Sequence, residues 1–293
     1  MKTHLDCIPC FFKQVLEAAR SAGAGENEQK ELADKMAVLL PGISMSSSPP
    51  ETGRLIYGMV HDHLNEKDIY SEKKHKCNIM ALSLYDRLKK KVAEAEDPIL
   101  RAIELAIAGN IIDYGLKNSD DITRELDKLL KDEDKKIRKS DSIFFEYGKF
   151  RDKLKDAVNI LYLLDNAGEI VFDRVFIEEI KSIYPDKKII CAVKEKPIIN
   201  DALTEDAYFC GLDKTAEIIS SGSDLPGTIP SMCFESFQRI YNSADMVISK
   251  GQGNFETLSD TPRPVFFLFM AKCPVVAREM KCSLGDIILQ YNA

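Results

Sequence analysis

The sequence predicts an α/β protein in which a helical N-terminal domain precedes a doubly wound, mostly parallel, Rossmann-like sheet domain. Two observations lead to this prediction. Apolar residues recur at helical spacing before residue 155, whereas short apolar strands alternate with helices after it. Because continuous apolar strands are typical of parallel sheets covered on both faces, we divide the chain into a helical domain, 1–155, and an α/β domain, 156–293.

The first half contains several amphipathic segments. Apolar pairs recur at helical spacing between Phe11 and Ala19. Residues 48–51, Ser-Pro-Pro-Glu, predict a helix start, with proline in the first turn and an acid near the positive end of the helix dipole. An apolar stripe follows between Leu55 and Leu64. Further helices are predicted over 78–92 and 98–108.

The pattern of the second half predicts strands separated by helices or loops. A helix is predicted over 169–184, between the first two strands, and it ends at Pro185-Asp186. Strands are predicted over 158–164, 188–193, 217–220, 246–249, 265–269 and 286–289. In such sheets, ligands bind beyond the carboxyl ends of the strands.

Composition narrows the class of protein. The 293 residues are 45% hydrophobic and 30% charged, which is typical of a globular protein with a substantial core. The net charge of -7 disfavours nucleic acid as a partner. The apolar run 265–271 is too short to cross a membrane, and no export signal is visible, so we expect a cytoplasmic protein. The eight scattered cysteines do not indicate a disulfide scaffold.

The most informative local feature is the apolar run that ends at Asp165-Asn166, just before a helix. Carboxylate and amide oxygens are the ligands that hard divalent ions prefer. Glu169 adds a second carboxylate, and Asp201 follows the next strand, so the two strands are expected to bring Asp165 and Asp201 to one place. An aspartate in such a loop can also be a simple helix cap, which leaves a structural role open.

Two later loops favour phosphate binding. Lys250 follows a predicted strand, and Gly251 and Gly253 allow backbone N–H groups to point at an anion. Lys272 follows the strand after it. The glycines do not complete a dinucleotide fingerprint, because Glu256 stands at the third glycine position, and no Walker-type phosphate loop occurs.

These segments together resemble the damage-control phosphatases, a family also known as domain of unknown function 89. The motifs are LLDNAGE, IINDALTED, ISKGQGNFETL, AKCP, an N-terminal Cys-x-x-Cys, and Gly-Asn-Ile-Ile-Asp at 109–113. The resemblance spans nearly the whole chain and is strongest to the archaeal branch that carries the Cys-x-x-Cys. It implies a metal-dependent phosphatase with a helical domain and an α/β domain.

The resemblance also implies roles for individual residues. Asp165, Asn166 and Asp201 would bind the metal, and Lys272 would bind phosphate in the catalytic centre beside Asp165. The implied substrate contacts are Glu169, Lys250, Gln252, Gly253, Asn254, Glu256, Asn110 and Asp113. The implied cofactor is a divalent ion (Mg, Mn, Co or Ni), and the implied partner is a small phosphorylated metabolite. Whether Asp165 is a ligand only, a nucleophile or a general base stays open. The sequence does not indicate the oligomeric state.

Two alternatives accompany this prediction. An α/β core of this kind also fits a carboxyl methyltransferase that uses S-adenosylmethionine, although the glycine-rich first loop of such enzymes is missing. A non-catalytic metal- or redox-sensing protein built on Cys7 and Cys10 is the other alternative. His4, Cys7 and Cys10 lie at helical spacing and could hold a soft metal, or the cysteines could be core thiols.

Overall fold

The protein, a computed structural model, is described for residues 1–66, 68–110, 121, 124, 127, 128 and 144–292. Its helices are α1 (Cys7–Ser21), α2 (Glu26–Leu39), α3 (Pro49–Leu64), α4 (Ser71–Ala93), α5 (Pro98–Ala108), α6 (Tyr147–Asp156), α7 (Glu169–Ile183), α8 (Thr204–Phe209), α9 (Glu235–Ser243), α10 (Gln252–Leu258) and α11 (Pro274–Met280). Its strands are β1 (Asn159–Leu163), β2 (Lys188–Val193), β3 (Glu217–Ser220), β4 (Met246–Lys250), β5 (Val265–Met270) and β6 (Ile287–Asn292).

The strands form one six-stranded sheet in the order β3-β2-β1-β4-β5-β6. Among these described strands, β1 to β5 pair in parallel, and β6 runs antiparallel to β5. This confirms the α/β class and the mostly parallel sheet. The strand order reverses its direction of growth at β1, between β2 and β4, which is where doubly wound sheets place their ligands.

Side chains alternate between two cores along each strand. In β1, Ile160 and Tyr162 enter one core with helices α4 to α7, whereas Leu161 and Leu163 enter the other with α1 to α3 and α9 to α11. Both faces of the sheet are thus covered, which explains its continuous apolar strands.

The helices before residue 155 share these two cores with the sheet. The division into 1–155 and 156–293 stays a prediction. No helix in the described part of the chain is long and apolar enough to cross a membrane.

The predicted elements differ from the observed ones mainly at their ends. The helix predicted over 78–92 begins earlier, at Ser71, because its charged first turns weaken the apolar stripe. The last strand runs to Asn292 rather than to residue 289, since antiparallel pairing with β5 continues to Val265. Val158 lies just outside β1 and is 54% exposed, although its sequence context is apolar.

Candidate active site

The loops after β1 and β2 lie against each other at the carboxyl edge of the sheet. Asn166 and Asp201 form an isolated antiparallel bridge. The backbone N–H of Ala202 donates to the carbonyl of Asp165 at 2.8 Å, and that of Ala167 donates to the carbonyl of Asn200 at 2.9 Å. These bonds bring Asp165 and Asp201 together, as the spacing of the two strands predicts.

The amide of Asn166 is oriented by two carboxylates. Its Nδ2 donates to Oδ2 of Asp165 at 3.0 Å and to Oε1 of Glu169 at 2.8 Å. The amide of Asn110, at the end of α5, donates to the same Glu169 oxygen. Because Nδ2 of Asn166 is occupied, its carbonyl oxygen Oδ1 is the end left for a metal ion.

Carboxylates are crowded in this loop cluster, where Glu169 and Asp201 are buried and Asp165 is partly buried. Burial, together with the neighbouring Glu169 and Asp201, raises the pKa of Asp165 well above its ordinary value. Burial raises the pKa of Asp201 to about 6, although the ammonium of Lys194 opposes the change. Such a cluster is short of positive charge, which a divalent cation would supply.

The donor set fits a hard divalent ion. Asp165, Asn166 and Asp201 offer carboxylate and amide oxygens, which are the ligands of Mg²⁺ and similar ions. Oδ2 of Asp201 is buried and accepts no hydrogen bond from the described residues. Among the same residues, no three His, Cys, Asp or Glu side chains are grouped so as to hold a metal. The candidate set therefore consists of two carboxylates and one amide.

Gly251 makes room for Asp165. It has a φ of +84°, and a Cβ built on it would lie 2.0 Å from Oδ2 of Asp165. The loop after β4 thus approaches the Asp165 carboxylate so closely that only glycine fits.

A cavity of about 290 Å³ opens beside these loops. Seven of the predicted site residues line it: Asp165, Asn166, Asp201, Gln252, Gly253, Glu256 and Lys272. The structure therefore places the predicted metal ligands and the predicted phosphate lysine in the wall of one cavity.

Gln252 connects two walls of this cavity. Its Oε1 accepts from the backbone N–H of Lys272 at 3.0 Å, and its Nε2 donates to Oε1 of Glu256 at 2.8 Å. The backbone of Lys272 is thus tied to α10, while its side chain is exposed in the cavity wall.

The comparisons with known proteins show to which family the chain belongs. A family model, described as the damage-control phosphatase ARMT1-like domain, matches residues 3–288. The chain belongs to the damage-control phosphatase family. It is 36% identical to damage-control phosphatase PH1575 of Pyrococcus horikoshii, over 100% of this chain and 99% of that one, and 30% identical to a damage-control phosphatase of Archaeoglobus fulgidus, over 98% of each. The crystal structure of a DUF89 family protein from Pyrococcus horikoshii matches with a TM-score of 0.89 and 33% identity over 100% of both chains.

Three predicted substrate contacts of this damage-control phosphatase family member lie behind the cavity wall. Glu169 is 2% exposed and contacts Lys250, whose Nζ lies 3.5 Å from Oε2 of Glu169 and 2.6 Å from Oδ1 of Asp173. Burial lowers the pKa of Lys250, but the carboxylates of Asp173 and Glu169 outweigh it and the net pKa is raised. Lys250 is therefore paired with Asp173 and Glu169 and does not line this cavity.

Asn254 is also buried behind the wall, at 1% exposure. Its Nδ2 donates to the carbonyl of Lys250 at 2.8 Å, and its Oδ1 accepts from the hydroxyl of Thr228 at 2.8 Å. These contacts fix the start of α10.

Asn110 lies beside Glu169, away from the main cavity, and Asp113 lies outside the described residues.

Sequence reasoning missed two parts of the site. Lys194 directly follows β2 and approaches Asp201, and its position at a strand end is the signal that could have found it. The remaining lining of the cavity comes from α1, α3 and two loops, through Gln14, Pro49, Pro50, Gly53, Ile199, Asn200 and Pro226. Ile199 has a φ of +46°, a strained conformation for a β-branched residue, in the turn that presents Asp201.

The cysteines are free thiols. Cys7 is buried, and burial raises the pKa of its thiol. Cys10 is exposed and accepts a hydrogen bond from Gln14 at 3.4 Å. The hypothesis of a soft-metal site at His4, Cys7 and Cys10 gains no support from the described residues.

The buried carboxyl of Glu256 makes stability depend on pH. Burial raises the pKa of Glu256 from 4.5 to about 7, against the hydrogen bond from Gln252. The folded protein then holds this proton more tightly than the unfolded chain, so ionisation of Glu256 destabilises the fold as pH rises from 4.5 to about 7. We expect the metal-free wild type to lose up to roughly 3 kcal/mol relative to Glu256→Gln between pH 4.5 and 8, measured by urea unfolding. Parallel pH curves for the two proteins would contradict this.

Proposed function

We propose that this chain is a divalent-metal-dependent phosphatase that hydrolyses small phosphorylated metabolites, such as sugar phosphates or damaged cofactor intermediates, in metabolite damage control. The observation that carries the proposal is the placement of Asp165, Asn166 and Asp201 in one cavity wall with Lys272. Oxygen ligands beside a cation are the arrangement that phosphoryl transfer requires. The names of two relatives, both damage-control phosphatases, support the same activity.

Each group of this site has a distinct task in the proposed reaction. A bound divalent ion would neutralise the charge of the phosphoryl oxygens. Asp165, Asn166 and Asp201 would hold that ion, and the ammonium of Lys272 would attract and orient the phosphate. Gln252 and Glu256 line the cavity and offer an amide and a carboxyl to the hydroxyl groups of the leaving group. Asp165 either serves as a ligand only or also takes part in breaking the P–O bond.

The proposal is tested by a phosphatase screen of the purified chain. Sugar phosphates, other phosphomonoesters and a chromogenic aryl phosphate are assayed after chelation, with Mg²⁺, Mn²⁺, Co²⁺ or Ni²⁺ added back. We expect phosphate release that needs added metal. Methyl transfer from S-adenosylmethionine without phosphate release would favour the methyltransferase instead. Inactivity in both assays, with metal bound through Cys7 and Cys10, would favour the sensor.

Lys272 offers a second test of the site. Replacing it with alanine is expected to lower kcat/KM by about 10²-fold, because one charge that faces the phosphate is lost. The local fold should persist, since the backbone N–H of residue 272 still donates to Gln252. Lys188→Ala, at the amino end of β2, is the matched control and should leave the rate unchanged. Equal kcat/KM in both variants would remove Lys272 from the phosphate site.

A further inference from the structure

Lys194 is a buried lysine at the carboxyl end of β2 whose role is unassigned. It is 3% exposed, and its Nζ lies 3.7 Å from Oδ2 of Asp201. Nζ also donates to the carbonyl of Gly227 at 2.5 Å and to Oδ1 of Asn254 at 3.4 Å. Burying an ammonium group is costly, and paired charges and hydrogen bonds offset that cost.

Asp201 depends more on Lys194 as a polar partner than Gly227 and Asn254 do, because these two have further hydrogen-bond donors. The carbonyl of Gly227 also accepts from the hydroxyl of Ser223, at 3.1 Å. The amide oxygen of Asn254 also accepts from a threonine hydroxyl, as described above. Oδ2 of Asp201 accepts no hydrogen bond within the described chain. Removing the charge of Lys194 would therefore mainly affect the Asp201 carboxylate.

Asp201 also belongs to the candidate metal site. It lines the cavity with Asp165; Asp201 is 3% exposed, and Asp165 is partly buried. A divalent ion held there and the ammonium of Lys194 would share one carboxylate and repel each other, in surroundings that screen charge poorly. The ion and the lysine therefore compete electrostatically for Asp201.

We propose that Lys194 is a positioning residue that acts as an internal counter-cation: it holds Asp201 in the metal-free protein, and a divalent ion takes over that task. This inference rests on the proposed metal-dependent function. Lys194 stabilises the metal-free protein more than the metal-loaded protein. The site accordingly stays assembled without metal, and its affinity for the ion is lower than it would be without the lysine.

The test compares Lys194→Met with the wild type at pH 8.5, with and without saturating Mn²⁺, by scanning calorimetry and by titration calorimetry. We expect the Mn²⁺-induced rise in Tm to exceed that of the wild type by roughly 2–4 °C, and the Kd for Mn²⁺ to fall. Lys194→Arg keeps the charge and should return both values towards the wild type. If Lys194→Met folds neither with nor without metal, Lys194→Gln, which keeps a hydrogen-bond donor, takes its place.

Lys187→Met is the matched control. Lys187 is another buried lysine, at 7% exposure, and it directly precedes β2. It donates to the backbone carbonyls of residues 155 and 157 and not to a carboxylate of the candidate metal site. Its loss should lower Tm equally with and without Mn²⁺. An equal Mn²⁺-induced rise in Lys194→Met and the wild type would overturn the counter-cation role. Absence of any rise in the wild type would instead overturn the metal site itself, and this inference with it.

Discussion

Replacing Asp165 with asparagine is expected to lower metal-dependent phosphate release by roughly 10³-fold or more, and to leave the metal-free protein as stable as the wild type or more so. Activity falls because a carboxylate is lost from the centre of the predicted metal site. Stability does not fall because a neutral amide replaces a carboxyl whose ionised form is disfavoured by desolvation and by Glu169 and Asp201. Turnover with Mn²⁺ and Tm in a chelator measure the two effects.

Asp245→Asn is the matched control for this variant. Asp245 lies at the opposite end of the sheet, where its Oδ2 accepts from the backbone N–H groups of residues 158 and 159 at 3.0 and 2.7 Å. These bonds lower the pKa of Asp245, so its charge is favourable. We expect this control to lose some stability and no activity. Full activity in Asp165→Asn would contradict the site, whereas a clear loss of its stability would contradict the charge crowding.

Gly251→Ala is expected to disable the site through a steric effect alone. A Cβ at residue 251 would lie 2.0 Å from Oδ2 of Asp165 and 2.1 Å from its Cγ, so the carboxylate must move. The positive φ of +84° adds backbone strain. Together these effects should cost about 2–5 kcal/mol of folding free energy and at least about 10²-fold in activity, since a catalytic group misplaced by about 1 Å costs that much.

Gly285→Ala is the control that separates backbone strain from steric contact with Asp165. Gly285 has nearly the same φ, +85°, but a Cβ there would have nothing within 4 Å. This control should show the backbone strain without the loss of activity. Urea unfolding and kcat/KM with Mn²⁺ are measured for both variants. If both lose the same stability and keep their activity, the close approach of Gly251 to Asp165 has no functional consequence.

Much of the sheet was predictable because parallel strands buried on both faces are uninterrupted apolar runs. The runs predicted over 246–249 and 265–269 became β4 and β5, each one residue longer than predicted and buried at every position. The antiparallel direction of β6 was not predictable, since strand direction depends on pairing with β5 rather than on the apolar pattern. Part of the site was predictable as well, because polar residues at the ends of neighbouring parallel strands must meet at one edge of the sheet.

The rest of the site depends on side-chain direction and on contacts distant in sequence. Lys250 ends β4 and Lys272 follows β5, yet Lys250 turns inward to Asp173, whereas Lys272 is exposed in the cavity wall. Lys194 also follows a strand, and nothing in the local sequence separates it from a solvated lysine. Its distance to Asp201 distinguishes it.

The fold class and the meeting of Asp165 with Asp201 followed from apolar runs and from residues at strand ends, and the resemblance to the family followed from the quoted motifs. Which charged groups face the cavity, and which are buried behind it, emerged from the folded structure. It also decided that α1 and α3 complete the cavity wall, and that a close contact with Asp165 requires glycine at residue 251. The physical reason is that burial and pairing of charges are set by groups brought together from distant segments, which a local pattern does not encode.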